Sequence, residues 1–493
     1  ETDTVLFTYG KGYNPEVYRY CSGYQYDDNT IVGFSHTHFN GTGHSDLGDF
    51  LIMPTVGDLQ INPGTKNDPD SGYRSLFSHQ TEEAHPGYYK VKLDDHKITA
   101  ELTSTERVGF HKYTFPTSDS SHIILDLTSG IYNYDGKVVW SSIRVENDTL
   151  VTGYRQTNGW ARTRLLYFAM TFSKQIESYG LVNKKELIYK GFWRKFNQNK
   201  NFPEQAGHEI VSYFNFKTED GESILIKFAL SAVSTNNAIE NLNAEISHWD
   251  FEKIKLQAKQ KWNNELSKIT IETDVERKVN FYTSMYHSFM NPIIYNDVNG
   301  EYRGLDQNIY KAEGFTNYTI FSLWDTYRAL HPLYTIIQQQ RTNDIVNSML
   351  AHYDQSVHKI LPIWSHYSNE NWCMIGYHAV PVIVDAYMKG LRNYDTNKAF
   401  DAVLSSSNYE LYDGIGYYKK YGFVPEDLNS NSASKTLEYA YDDWTIYKFA
   451  ESIGEKKIAD EYFKRAQSYK NLFDPVTKFI RAKNSDGKFK EPF

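Results

Sequence analysis

The hydrophobic pattern of this chain changes period once, near residue 237, and that change limits the fold more than any other feature. Before it, apolar residues alternate. "HIILDLTSG" sets Ile123, Leu125 and Leu127 on one face, and "RVGFHKYTF" sets Val108 and Phe110 on one face against His111, Tyr113 and Phe115 on the other. A period of two marks a strand, because successive side chains leave the pleat in opposite directions. The runs "KITAELTST", "TLVTGYR", "LLYFAMTFS" and "ESILIKFALSAV" repeat it, parted by Gly, Asn, Asp and Ser turns. A large antiparallel sandwich is expected for residues 1–236.

After the change, "FEKIKLQAKQKWNNELSKI" spaces Phe251, Ile254, Ala258, Trp262 and Leu266 by three and four, an apolar stripe on a helix otherwise made of Lys, Gln, Glu and Asn. Residues 237–268 read as a helical linker. Val275, Val279, Tyr282, Tyr286 and Phe289 continue the helical spacing up to Pro292, and "GYHAVPVIVDAYMKG" and "SKTLEYAYDDWTIYKFA" follow it. In the last of these Leu437, Ala440, Tyr441 and Trp444 mark the side expected to be buried. Pro381 either kinks a helix near Tyr377 or occupies the first turn of one starting near Val380. Helices of about four turns joined by long polar loops predict, for residues 269–493, helices packed in pairs around a toroid with function in the loops. They are too few for a closed ring of six pairs, and the final "GKFKEPF" has neither stripe nor cap, so a continuation is expected.

Composition removes several classes of function. A length of 493 residues exceeds what one core usually serves. A net charge of −9 offers no footprint for a phosphate backbone, so nucleic acid is not an expected partner. No apolar run approaches the roughly 18 residues of a membrane span, and the polar start "ETDTVLF" is not a signal peptide. The two cysteines, Cys21 and Cys373, form no CxxC pair and read as small buried hydrophobes. Phosphate loops, a dinucleotide fingerprint, an elbow serine and a zincin helix are all missing. The chemistry left is carboxylate-centred, which leans toward glycosidic bonds.

Three clusters in the helical half carry such chemistry. "FSLWDTYRALHPLY" puts Trp324 beside Asp325, with Arg328 one turn on. A surface Asp325–Arg328 pair would explain these residues as structure. An indole face and a carboxylate side by side also suit a sugar, whose C–H patch packs on the ring while its hydroxyls donate to the acid. "ILPIWSHYSNENWCMIGYH" flanks Ser365, His366, Asn369, Glu370 and Asn371 with Trp364 and Trp372, and either caps the next helix or meets a polyol. Cys373 could line an apolar sugar edge there, and Glu370 could serve as a general acid. In "KTLEYAYDDWTIYKFA", Glu438 and Asp442 share a face and read as satisfied helical carboxylates, whereas Asp443 beside Trp444 is open to either role. In the strand half, "FSHTHFNGTGHSDLGDFLIMP" gathers His36, His38, His44, Asp46 and Asp49, but its glycines favour a tight loop over a zinc scaffold. Asn40, Gly41 and His44 of that loop are expected to touch the helical domain or a ligand.

Five stretches in one order, "IVGFSHTHFNGTGHSDLGDFLIMPT", "HPGYYKVKLDDHKITAELTSTERVGFHKYTFP", "FSLWDTYRALHPLYTI", "NENWCMIGYHAVPVIVDAYMKG" and "SASKTLEYAYDDW", resemble the calcium-dependent, inverting, exo-acting alpha-mannosidases of glycoside hydrolase family ninety-two. The resemblance runs from about residue 12 to the end. It implies a multidomain fold, an N-terminal antiparallel beta-sandwich followed by an (alpha/alpha)6 toroid that is incomplete in this chain. It also implies a mannose-containing glycan as partner and Ca2+ as cofactor.

By the same resemblance Trp324 and Asp325 belong to the pocket of the nonreducing terminal mannose. The loop 36–44 and the stretch 370–378, ending at His378, are implied as its walls. The substrate-binding set is therefore Trp324, Asp325, Arg328, Glu370, Asn371, Cys373, His378, Asn40, Gly41 and His44, the last replacing a Cys frequent in the family. The family's motifs for the general acid, for calcium and for the base carboxylates do not occur before Phe493. The acid, the bases and most calcium ligands are thus expected in a companion C-terminal segment of the same enzyme, in a secreted, periplasmic or cell-surface setting. The alternatives are a noncatalytic glycan-binding module, or a lyase or phosphorylase on a similar toroid.

Overall fold

The structure is a computed structural model that describes residues 1–6, 15–39, 45–185 and 202–492. It divides into two compact units, one of Glu1–Asn291 with Asp297–Asn299, the other of Pro292–Asn296 with Gly300–Phe493. Residues Asn40, Gly41 and His44 lie outside the described residues.

The first unit contains a nine-stranded and a four-stranded sheet, both antiparallel. In the larger, Val108–Thr114 lies between Ile98–Ser104 and Ser223–Ser231, with Arg164–Phe172 and Leu150–Thr157 further along. In the smaller, Ser118–Asp126 lies between Leu51–Val56 and Ile210–Thr218. Phe172 of the first sheet meets Phe214 and Phe216 of the second, with ring centroids 5.2 and 5.4 Å apart, so the inner faces interdigitate as a sandwich core. Ile123, Ile124 and Leu125 are all buried, although alternation had left Ile124 on the open side. A strand covered on both faces keeps apolar residues at both parities.

Helix α1 (Glu16–Arg19) is a single turn, and α2 (Thr235–Glu245) and α3 (Phe251–Leu266) follow Ser223–Ser231, the last strand of the two large sheets. Ser234 and Asp250 cap α2 and α3 by accepting the amides of Asn237 and Lys253. Phe251, Ile254, Ala238 and Leu242 then pack on Val108, Phe110, Ala169 and Ala229 of the large sheet, which accounts for the helical stripe. The following helix, α4 (Val275–Ser288), departs from its pattern. Val275 and Val279 are 78% and 58% exposed, and Met285 is buried instead. Tyr286 leans on Trp262 of α3 at 4.6 Å, so the compact unit runs to Asn291, beyond the boundary expected at 268.

The second unit is helical: α5 (Leu323–Thr326), α6 (Leu330–Ile337), α7 (Gln339–Gln355), α8 (Ala379–Met388), α9 (Thr396–Asn408), α10 (Ile415–Tyr421), α11 (Ser432–Ile453) and α12 (Lys456–Arg465). Pro381 falls in the first turn of α8, where its missing amide costs nothing. Helix α11 packs on α8 and α12 with a face that keeps Ala440 of the expected set but not its larger side chains. Leu437, Tyr441 and Trp444 are 38%, 43% and 44% exposed, whereas Asp442 and Asp443 are fully buried. The carboxylates go inward because partners await them. Asp443 accepts from Tyr377 at 2.8 Å, Tyr418 at 3.0 Å and Arg465 at 3.0 Å, a network that makes it a structural centre of this unit.

Candidate functional site

The geometry around Trp324 begins with Ser322. This residue precedes the one-turn helix α5, and its carbonyl accepts the amides of Asp325 and Thr326 at 3.2 and 3.1 Å. Its hydroxyl donates to Asp325 Oδ2 in a close contact and accepts from the Trp364 indole nitrogen at 2.9 Å. One oxygen of the exposed Asp325 carboxylate is thereby fixed, and the other has no partner among the described residues. Ile320, two residues earlier, has φ +67, a strained value for a β-branched residue; strain of this kind gathers where surrounding contacts override local preference.

The Asp325–Arg328 pair does not form. The Arg328 guanidinium turns back to the Trp324 carbonyl, with Nε at 3.2 Å and Nη2 at 3.0 Å, and lies over the Trp324 ring at 4.8 Å and the Tyr327 ring at 4.7 Å. Its carboxylate neighbour is Glu438, at 3.6 Å.

The second cluster is a hairpin, Ser365–His366 paired with Asn369–Glu370. Tyr367 and Ser368 form its turn at φ +43 and +62, the two left-handed positions that a tight hairpin requires. Phe321 donates its amide to the Ser365 carbonyl at 3.0 Å, which joins this hairpin to the approach to α5. The Glu370 carboxylate accepts the amides of Ile363 at 2.9 Å, Trp364 at 2.8 Å and Trp372 at 3.0 Å. Burial pushes its pKa up while these amides pull it back. Both oxygens are engaged within the loop, so the geometry makes Glu370 a clasp and not a free acid.

Asn371 has no hydrogen-bond partner for either side-chain amide atom among the described residues, and Trp324 has none for its indole nitrogen, although all three atoms are shielded from solvent. These are the donors and acceptor of the cluster that remain for a ligand or water. Cys373 is half-buried and free; burial pushes its thiol up, and the Asp325 and Glu370 carboxylates add to the shift. His378, at the entrance to α8, is buried against the Tyr327 ring, with centroids 4.2 Å apart and planes 10° from parallel. Its Nδ1 bonds Asp442 Oδ1 at 2.8 Å, and its Nε2 lies 3.4 Å from Glu438 Oε2.

Tyr327 and Ser322 carried no signal in the sequence, because each matters only through residues distant in the chain. In the strand unit, Asp46 pairs with Lys137 at 2.9 Å and Asp49 with Arg164 at 2.9 Å, which commits both to the fold. Among the described residues no group of three or more His, Cys, Asp or Glu side chains could hold a metal ion.

Comparison with known proteins identifies the family of the chain. Residues 11–231 match the family model described as the glycosyl hydrolase family 92 N-terminal domain, and residues 237–493 match the catalytic domain of the same family. Among solved structures, the chain is similar to a family GH92 alpha-mannosidase from Bacteroides thetaiotaomicron, with 43% identity and a TM-score of 0.93 over 100% of this chain and 64% of that one. That mannosidase is also seen in complex with mannoimidazole. A family GH92 inverting mannosidase from Bacteroides thetaiotaomicron VPI-5482 is 30% identical, with a TM-score of 0.84 over 96% of this chain and 62% of that one. A protein of Arthroderma benhamiae described as an uncharacterized secreted glycosidase is 25% identical over 94% of this chain and 59% of its own length. The chain spans about three fifths of the length of these relatives.

Proposed function

The chain belongs to glycosyl hydrolase family 92, and on that premise we propose that it carries the sugar-anchoring part of an exo-acting, inverting alpha-mannosidase that removes terminal mannose from oligosaccharides or N-glycans. The observation that carries this reading is the pairing of the half-buried Trp324 ring with the exposed Asp325 carboxylate, held by the Ser322 hydroxyl. The indole accepts the apolar face of the terminal mannose, and Asp325 accepts hydrogen bonds from its hydroxyls. Asn371 contributes neutral hydrogen-bonding capacity, with Cys373 nearby, and Glu370 and His378 shape the walls from behind. The (alpha/alpha)6 toroid implied by the resemblance is the setting in which these loops would meet.

Inversion needs an acid on the leaving oxygen and a base on a water at the opposite face of the sugar, about 6.5–9.5 Å apart. Glu370, Asp442 and Asp443 are engaged internally, so none of them is assigned either part. Calcium is implied by the family resemblance alone, and no step is carried through it. A secreted location is supported by the description of the Arthroderma benhamiae relative. Among the described residues no helix is long and apolar enough to cross a membrane.

The test is release of free mannose from an alpha-linked dimannoside by the full-length protein, followed by NMR of the first-formed anomer and repeated with a calcium chelator. Beta-mannose as first product, lost on chelation, is the expected result. Saturable binding without release would overturn the enzymatic reading in favour of a glycan-binding module.

A further inference from the structure

The Glu438 carboxylate meets residues around the proposed sugar platform and is not needed for any contact with sugar. It sits on α11, 111 residues beyond Tyr327, whose hydroxyl donates to its Oε2 at 2.9 Å. The same oxygen lies 3.4 Å from His378 Nε2, and Oε1 lies 3.6 Å from Arg328 Nη2. His378 cannot swing away, because it is stacked on Tyr327 and bonded to the buried Asp442. The carboxylate therefore has a fixed footing on one side and the guanidinium on the other.

Arg328 has a competing partner. Asp325 is three residues earlier on the same turn, a spacing at which an acid and a guanidinium ordinarily meet, and both side chains are exposed. The observed guanidinium instead covers one face of the Trp324 ring. If Arg328 turned to Asp325, it would neutralise the anchor and uncover that face of the indole.

We propose that Glu438 is a positioning residue for sugar binding: with the Trp324 carbonyl it holds Arg328 over one face of the Trp324 ring and away from Asp325, so that the anchor carboxylate keeps its charge for the terminal sugar. This rests on the reading of Trp324 and Asp325 as sugar contacts. Glu438 itself touches neither the sugar nor the reacting atoms.

The full-length enzyme tests it on an alpha-linked dimannoside. Glu438→Gln should raise KM about three- to fivefold and change kcat less than about twofold, since a partly exposed 3.6 Å ion pair is a weak restraint and ground-state and transition-state binding suffer alike. In an Arg328→Gln background the same substitution should add less than about twofold, because no guanidinium is left to misplace. Equal rises in KM in both backgrounds would overturn the proposal, showing that Glu438 acts through the fold. Tyr327→Phe removes one bond that seats Glu438 but leaves its charge beside Arg328, so it should raise KM less than Glu438→Gln, and a larger rise would overturn the proposal. Should Glu438→Gln not fold, Glu438→Asp keeps the charge on a shorter arm and is read by the same cycle. Trp324→Phe and Asp325→Asn separate the two levels. If neither lowers kcat/KM, the sugar-contact reading itself fails; if both do and Glu438→Gln does not raise KM, the positioning proposal alone fails.

Discussion

His378, at the entrance to α8, and Asp442, in the middle of α11, stand 64 residues apart and share a 2.8 Å bond from Nδ1 to Oδ1 with both side chains out of solvent. Asp442 also accepts the Tyr377 amide at 3.1 Å. This one carboxylate thus fastens the end of the second cluster to the longest helix of its unit.

Asp442→Ala should destabilise the helical unit strongly. It leaves the His378 ring nitrogen and the Tyr377 amide buried without partners, each costing about 1–3 kcal/mol. A total loss of about 3–5 kcal/mol in urea unfolding is expected. A loss below about 1 kcal/mol would mean that water replaces the carboxylate.

Asp325→Asn tests the anchor. A charge-assisted contact to hydroxyls contributes roughly 1.5–3 kcal/mol, so kcat/KM on the dimannoside should fall about ten- to a hundredfold. The side chain is exposed and makes no ion pair with Arg328, so the melting temperature should stay within about 2 °C. Unchanged kcat/KM would sink the anchor reading.

Ser322→Ala should affect both properties. Its hydroxyl is the acceptor for Trp364, whose side chain is buried, and the donor that fixes Asp325. Loss of that acceptor should cost about 1–2 kcal/mol of stability, read by calorimetry. Freeing Asp325 should lower kcat/KM by roughly three- to tenfold, and Ser322→Thr should restore part of both.

Two buried histidines make the helical unit sensitive to acid well above ordinary carboxylate pKa values. Burial holds His331 and His352 neutral, each pushed down to about 4 from about 6.5. As pH falls below about 6.5 the unfolded chain binds protons that the folded one refuses, so stability declines until about pH 4, by up to about 3 kcal/mol for each group. Asp443 works in the opposite sense, because burial pushes it up to about 6 and the folded state gains its proton first. Glu370, Asp442 and Asp344 are raised by burial as well and act with Asp443, so the histidine contribution is read by difference. His352→Gln should raise the urea midpoint at pH 5 relative to that at pH 7, compared with the parent chain; an unchanged ratio would mean that His352 is not held neutral by burial.

By itself the sequence determined where strands end and helices begin, because pleat and helix impose periods of two and 3.6 on any chain that buries one side. The strands around Val108, Ile123 and Phe168 and the Phe251–Ile254–Ala258 stripe were legible for that reason. The Trp324–Asp325 adjacency was legible too, being a matter of neighbours. The buried face of α11 was not. Leu437, Tyr441 and Trp444 are the apolar choice by pattern, yet Asp442 and Asp443 point inward, since His378, Tyr377, Tyr418 and Arg465 offer them hydrogen bonds there. Arg328 was equally out of reach: Asp325 is its partner by spacing, and Glu438 takes that place from 110 residues away. Periodicity reports what each residue would prefer toward water or oil. Which buried charge finds which partner is decided when distant segments meet, because the large cost of burying a charge is offset only by the groups that arrive beside it.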